Sequence, residues 1–168
     1  MRKLPIGTQT FEKLRDNGAI YVDKSKHILD LINNGSVYFL SRPRRFGKSL
    51  LISTIKELFK GSKDLFEELY IYDKWDWAKR NPVIHLDFAE LTYSTAEELK
   101  FSLNKFVELT AEDNNLVIDK ELTLSMKFAQ LIEQLHKKDG KQVVILVDEY
   151  DKPLIDNLSK EEIYSEVK

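Results

Sequence analysis

The chain has no cysteine. A disulfide framework is therefore excluded, as is a metal held by thiolates, and the composition suits a reducing compartment. It also lacks a charge excess: 26 Lys and Arg stand against 28 Asp and Glu, a formal net charge of -2. That balance gives no overall electrostatic footprint for nucleic acid, although a local basic patch is compatible with it. No apolar run approaches the roughly 20 residues that a membrane-spanning helix requires. The segment from Met1 to Gly18 has Arg2 and Lys3 early but no apolar stretch behind them, so it does not read as a secretory signal. Internal repeats and low-complexity segments are absent too. What is left is the expectation of a cytoplasmic globular protein. Its 168 residues, 42% hydrophobic and 32% charged, suffice for one domain with a core.

What is present is an alternation of short apolar runs and longer periodic ones. Residues 1–34 read as a lead-in followed by a first helix, with Asp23 at its N-cap, Ile28, Leu29, Leu31 and Ile32 on one face, and Asn34-Gly35 as its stop. Val37-Tyr38-Phe39-Leu40 is short, apolar and β-prone without polar alternation, the pattern of a strand buried on both faces. A helix is expected from about Lys48 to Lys60, closed by Gly61. A short helical piece is expected around Leu65-Phe66, then a strand over residues 83–88 after Pro82. A further helix opens with a Thr95/Glu98 capping box, and another, carrying Leu124, Phe128, Leu131 and Leu135, ends before Asp139-Gly140. Val143 to Val147 reads as the clearest buried strand. Five- and six-residue strands alternating with helices of ten or more predict an α/β fold, a parallel sheet with flanking helices. In such sheets ligands bind beyond the carboxyl ends of the strands. The two richest polar clusters, residues 41–49 and 148–152, both follow a predicted strand.

The first cluster has the chemistry of a phosphate site. Phosphate binding calls for exposed N–H groups, a cation and a helix N-terminus aimed at the anion. Gly47 admits the backbone close to the phosphates, Lys48 can reach their β and γ oxygens, and the Ser49 hydroxyl can ligate Mg²⁺. The full pattern is G-x-x-x-x-G-K-[ST], and Arg42 stands where its first glycine belongs, with Pro43 after it. A polar turn whose Gly47 merely permits close helix–sheet packing would have the same spelling. The second cluster supplies acids where such a site needs them. Asp148 can hold the metal's water shell, and Glu149 can act as general base on the attacking water. A surface strand that simply ends in acids is the plainer alternative.

These residues resemble a known family. Ser41-Arg-Pro-Arg-Arg-Phe-Gly-Lys-Ser-Leu50 and Val147-Asp-Glu-Tyr-Asp-Lys-Pro-Leu154 look like the motifs of the predicted AAA-ATPase-like family of bacteria and archaea. The segment from Leu4 to Ser25 and the run Pro82 to Phe88 are similar too, so the resemblance covers nearly the whole chain. In that family the arginine-rich loop without the first glycine is the usual form. The resemblance implies a P-loop NTPase of the ASCE division, related to the STAND-like ATPases, with ATP and Mg²⁺ as ligands. The Walker A role falls on Arg44, Arg45, Phe46, Gly47, Lys48, Ser49 and Leu50. The Walker B role falls on Asp148, with Glu149 as base. ATP is expected over GTP on this resemblance and because no Asn-Lys-x-Asp guanine motif is present.

The resemblance also implies that residues 35–168 are a partial P-loop core. Members of the family continue with another strand ending in a polar sensor residue and a helical lid, and many carry a C-terminal restriction-endonuclease-like domain. The chain ends in a helical pattern, residues 161–168, and reads as an N-terminal portion. Without the sensor strand, the phosphate-loop strand and the Asp-Glu strand would lack a common neighbour, so the isolated chain is expected to fold poorly or to close the gap in a non-standard way. Two other functions fit the same motifs: a nucleotide switch with little turnover, and an ATP-driven module of a nucleic-acid-processing protein. Other residues carry weaker signals. Arg44 and Arg45 could clamp phosphate or sit in an exposed turn. Asp87 could face the site or cap a turn. Trp75, Trp77, Tyr70 and Tyr72 could stack a base, but fit core packing better. His27, His85 and His136 are too scattered to suggest a metal. Glu149 to Pro153 could couple hydrolysis to movement, or be a turn that Pro153 leads into a helix.

Overall fold

The computed structural model describes residues 4–5, 7–8, 10–43 and 45–155. The chain divides between Arg80 and Asn81 into two compact units.

The first unit is helical. It contains α1 (Phe11–Asp16), α2 (Ser25–Asn34), α3 (Lys48–Lys60) and a 3₁₀ turn at Lys63–Phe66. Its core gathers Phe11, Ile28, Leu58, Phe66 and Ile71, each 2% exposed or less. Phe11 meets Tyr21 edge-on at 5.0 Å and Phe66 at 4.8 Å. These aromatic contacts fix a helix of six residues, far too short to persist alone. Two further contacts tether α1. Phe11 N–H donates to the Ser53 hydroxyl on α3 at 2.9 Å, and the Arg15 guanidinium donates to the carbonyls of Leu65 and Glu67. The sequence predicts a first helix only after Asp23, so α1, within the lead-in, is an addition.

The Asp23 carboxylate organises the next segment. The N-cap position of α2 falls to Lys24 rather than to Asp23. Asp23 nevertheless does a cap's work, because one oxygen accepts Ser25 N–H at 2.8 Å and the other accepts Tyr70 N–H at 2.7 Å. The fully buried Ser25 hydroxyl accepts Ile71 N–H at 3.2 Å. Thus one acid and one hydroxyl join the start of α2 to residues 70–71. At the far end of α2 the Tyr38 hydroxyl donates to the Leu31 carbonyl at 2.5 Å. A Cβ on Gly35 would come within 2.6 Å of that hydroxyl. The glycine therefore serves close approach here, since its backbone is extended (φ -179) and open to any residue.

The expected strand at residues 37–40 is not formed: the segment is neither helix nor strand, and it is exposed rather than buried. Val37 is 91% exposed and Phe39 72%. Apolar, β-prone composition makes a segment fit for a sheet interior, but a strand exists only when a neighbour pairs with it. Among the described residues the sheet has two strands, and residues 37–40 are in neither.

The second unit is mixed α/β: β1 (Val83–Asp87), α4 (Ala96–Asp113), α5 (Leu124–Asp139), β2 (Val144–Asp148) and α6 (Lys152–Ile155). β1 and β2 pair in parallel, Val83 with Val144 through Asp87 with Asp148. This is the parallel pairing that the alternation of elements predicts. Its core joins Ile84 of β1 to Val107 and Ala111 of α4 and to Leu131 and Leu135 of α5. The Thr95 hydroxyl caps α4 by accepting Glu98 N–H, as expected. The reciprocal arm is shifted by one residue, with the Glu98 carboxylate accepting from Ser94 N–H. β2 departs from the continuous burial expected of it. Ile145 is 43% exposed and Val147 41%; they alternate with less exposed residues and so share one face of the sheet, which is left partly open among the described residues. The expected helical pattern at 161–168 lies outside the described residues.

The Asp23 junction yields a test. Burial works to raise the Asp23 carboxyl, yet hydrogen bonds from the Ser25 hydroxyl and from the backbone N–H groups of Tyr70 and Ser25 outweigh it, and its pKa lies below the ordinary carboxylate value. A depressed folded-state pKa contributes stability that is fully present above about pH 4 and is lost as pH falls through the folded value. Asp23→Asn turns one acceptor into a donor facing an N–H group. It should lower stability by about 1 kcal/mol at pH 7. In urea titrations the gap between parent and variant should narrow as the pH drops below about 4. A gap that stays constant down to about pH 2 would show that the charge contributes nothing.

Candidate functional site

The polar loop ends at the N-terminus of α3. Gly47 occupies the N-cap position in the left-handed region, φ 73 and ψ 28. Arg45 is left-handed as well, at φ 67. Two left-handed residues so close together turn the chain sharply into the helix. α3 has no side-chain cap. Its ladder begins with Leu51 N–H to the Gly47 carbonyl at 3.0 Å. The N–H groups of Lys48, Ser49 and Leu50 therefore lie before the ladder, where a helix has no partner of its own to give them. They share this helix end with its partial positive charge. The Lys48 ammonium folds back and donates to the Arg42 carbonyl at 2.9 Å. A neutral carbonyl is a weak partner for a cation, and one that an anion can displace. Ser49 and Leu50 lie half-buried in the first turn, and Leu50 packs on the core of the first unit. Phe46 is 63% exposed. Arg44 lies outside the described residues.

The second cluster sits at the carboxyl end of the parallel pair. Asp148 is the last residue of β2 and is 3% exposed. One of its oxygens accepts Glu149 N–H at 2.9 Å, and its carbonyl accepts Phe88 N–H at 3.1 Å. Register places Asp87 beside it. One Asp87 oxygen accepts Ala89 N–H at 2.8 Å, so Asp87 caps the turn after β1 and also stands next to Asp148. Glu149 takes a left-handed backbone, φ 50, unusual for a residue with a side chain. Its carbonyl accepts Lys152 N–H at 2.9 Å, closing a turn directly after the strand.

The structure thus groups Gly47, Lys48, Ser49 and Leu50 at one helix start, and Asp87, Asp148 and Glu149 at one pair of strand ends. The first group belongs to the first compact unit and the second group to the second. Among the described residues no three His, Asp or Glu side chains gather as a metal cage. Mg²⁺ in phosphate sites does not need one, since it keeps several waters and takes one or two protein oxygens. The Ser49 hydroxyl and the Asp148 carboxylate are donors of that hard kind. Sequence reasoning placed Asp87 at a strand end, but the parallel register is what brings it beside Asp148. Lys48's contact with the Arg42 carbonyl has no sequence signal. Among the described residues no helix is long and apolar enough to cross a membrane.

A parallel strand pair ending in acids and an uncapped helix opened by Gly-Lys-Ser define the class: a mixed α/β protein. The comparisons narrow it. The family model described as Predicted AAA-ATPase matches residues 5–168, and the chain belongs to that family. It is 42% identical over 168 residues to an uncharacterized protein encoded in the vnfD 5' region of Azotobacter chroococcum mcd 1. That alignment covers 99% of this chain and 32% of the relative, so the chain spans about a third of the relative's length. No solved structure matches.

The left-handed turn at Gly47 yields a second prediction. A Cβ there would meet nothing within 4 Å, so any penalty comes from the backbone alone. Gly47→Ala should cost about 1 kcal/mol in thermal or urea unfolding, with the rest of the fold unchanged by circular dichroism. A variant as stable as the parent would mean that the loop adopts another conformation in solution.

Proposed function

We propose that this chain is the nucleotide-binding part of a Mg²⁺-dependent P-loop ATPase, with the phosphates at Gly47–Leu50 and the acids of hydrolysis at Asp148 and Glu149. The observation that carries this reading is the start of α3: N–H groups left outside the ladder, no side-chain cap, and a lysine whose ammonium donates to a backbone carbonyl. Membership of a family described as predicted ATPases supports the same reading.

The chemistry follows from the groups present. The N–H groups of Lys48, Ser49 and Leu50 donate to phosphate oxygens, and the Lys48 ammonium exchanges the Arg42 carbonyl for a charged oxygen. Arg45 adds positive charge to the loop. The Ser49 hydroxyl and the Asp148 carboxylate are the groups that would hold Mg²⁺ and its waters. When bound, Mg²⁺ neutralises charge on the β and γ oxygens. Glu149 accepts a proton from the water whose oxygen attacks the γ-phosphorus. The bond from that phosphorus to the bridging oxygen breaks, leaving ADP and inorganic phosphate.

Titration with a fluorescent ATP analogue in Mg²⁺ tests the binding half of this reading. Lys48→Ala should weaken binding by at least about tenfold, the value of one charge-assisted contact. Glu149→Gln keeps the side chain's shape and removes its basicity. It should bind as the parent does while turnover falls by about 10²- to 10⁴-fold. Equal binding by the parent and Lys48→Ala would refute the phosphate assignment. Equal turnover by the parent and Glu149→Gln would refute the base.

A further inference from the structure

Glu149 holds a backbone conformation that a side-chain-bearing residue adopts at a cost, φ 50. Such a conformation persists only where its surroundings over-determine it. Two local bonds contribute, from its own N–H to the Asp148 carboxylate and from Lys152 N–H to its carbonyl. The first holds Glu149 to the end of β2 and the second lies within the turn, so neither ties the turn to α4. The Lys152 side chain supplies such a tie, since its ammonium lies over the Tyr93 ring, 5.1 Å from the centroid.

Tyr93 is well placed to anchor a turn. It belongs to the connection between β1 and α4, which is pinned on both sides of it. The Ser102 hydroxyl on α4 donates to the Thr92 carbonyl at 2.9 Å. Ser94 N–H donates to the Glu98 carboxylate, and the Thr95 hydroxyl caps the helix. Residues 92–95 are therefore fixed to the first turns of α4, and the ring of Tyr93 with them. The face of an aromatic ring attracts a cation without taking a proton from it or demanding one hydrogen-bond geometry. Lys152 can hold this contact while its backbone closes the turn on Glu149.

We propose that Tyr93 and Lys152 are positioning residues for Glu149: the stacked pair clamps the turn after β2 to α4 and keeps the left-handed residue in place. The proposal rests on Glu149 as the group that takes the water's proton. Neither residue touches the reacting atoms. Their effect is on how often the carboxylate stands where it is needed, so it belongs in kcat and not in nucleotide affinity.

Two readouts on the full chain test this, one of them independent of turnover. Hydrogen exchange of the segment containing residues 149–152 should quicken by about fivefold in Tyr93→Leu and in Lys152→Met, the effect of losing one cation–π contact. Tyr93→Phe keeps the ring face and should exchange within about twofold of the parent. In steady-state ATP hydrolysis Tyr93→Leu should lose about fivefold in kcat with KM nearly unchanged, and Tyr93→Phe should restore it. Unchanged exchange in a Tyr93→Leu protein that melts with the parent would overturn the clamp. Quickened exchange with unchanged kcat would overturn its role in positioning Glu149. A parent without ATP turnover whose exchange still responds would instead overturn the hydrolysis reading and reduce the pair to a structural hold.

Discussion

The first turn of an α-helix carries N–H groups that its own ladder cannot satisfy, and something outside the helix must meet them. α4 in this chain solves the problem locally, with the Thr95 hydroxyl on Glu98 N–H. α3 has no such cap. Its opening residue is Gly47, which has no side chain to offer, and the one cation of the first turn, Lys48, is turned back onto the Arg42 carbonyl. A helix end left in this state keeps N–H groups that only solvent or another molecule can meet. The rest of the first unit keeps that end fixed. Thr54 and Leu58 of α3 are fully buried, and Ser53 takes the N–H of Phe11. Holding the helix rigid stops its start from relaxing into some other arrangement.

The second unit follows a different principle. Its polar groups are aligned by a register rather than by a helix axis. Parallel pairing puts residues of equal depth side by side, so the last pair of the ladder sets two aspartates next to each other and turns both chains out of the sheet at the same level. Asp148 is then almost fully covered while Glu149, one residue on, leaves the strand in a left-handed turn. The two acids are adjacent in sequence but held in different ways. Asp148 is fixed by strand pairing, and Glu149 by a turn with its own attachments.

How much of this was legible in the sequence depends on the range of the interaction concerned. The start and stop of α3 were readable because Gly47 acts on its immediate neighbours at one end and Gly61 on its own at the other. The same is true of Thr95 and Glu98 at α4, and of Gly140 after α5. The parallel relation of β1 to β2 was readable from the alternation of elements. α1 was not, since six residues carry too little periodicity, and its stability comes from nearby Tyr21 and from Ser53 and Phe66, which lie far from it in the chain. Val37 to Leu40 misled for the opposite reason: composition reports what a segment would tolerate, and burial needs a neighbour that composition cannot supply. At the candidate site the residue types and their local settings could be read, but the approach of Lys152 to Tyr93 could not, because nothing near either residue encodes the other.

The left-handed backbone of Glu149 has a consequence for how this chain responds to change. Only glycine takes that conformation without penalty, and the penalty for other residues is about 1 kcal/mol or more. Replacing Glu149 with glycine would relieve the strain and remove the carboxylate in one step. At this position, variants chosen for a firmer fold are driven toward the residue with no chemistry. A search for thermostable forms of the chain would select against the acid at this strand end, so such a search needs position 149 held fixed from the outset if the carboxylate is to be kept.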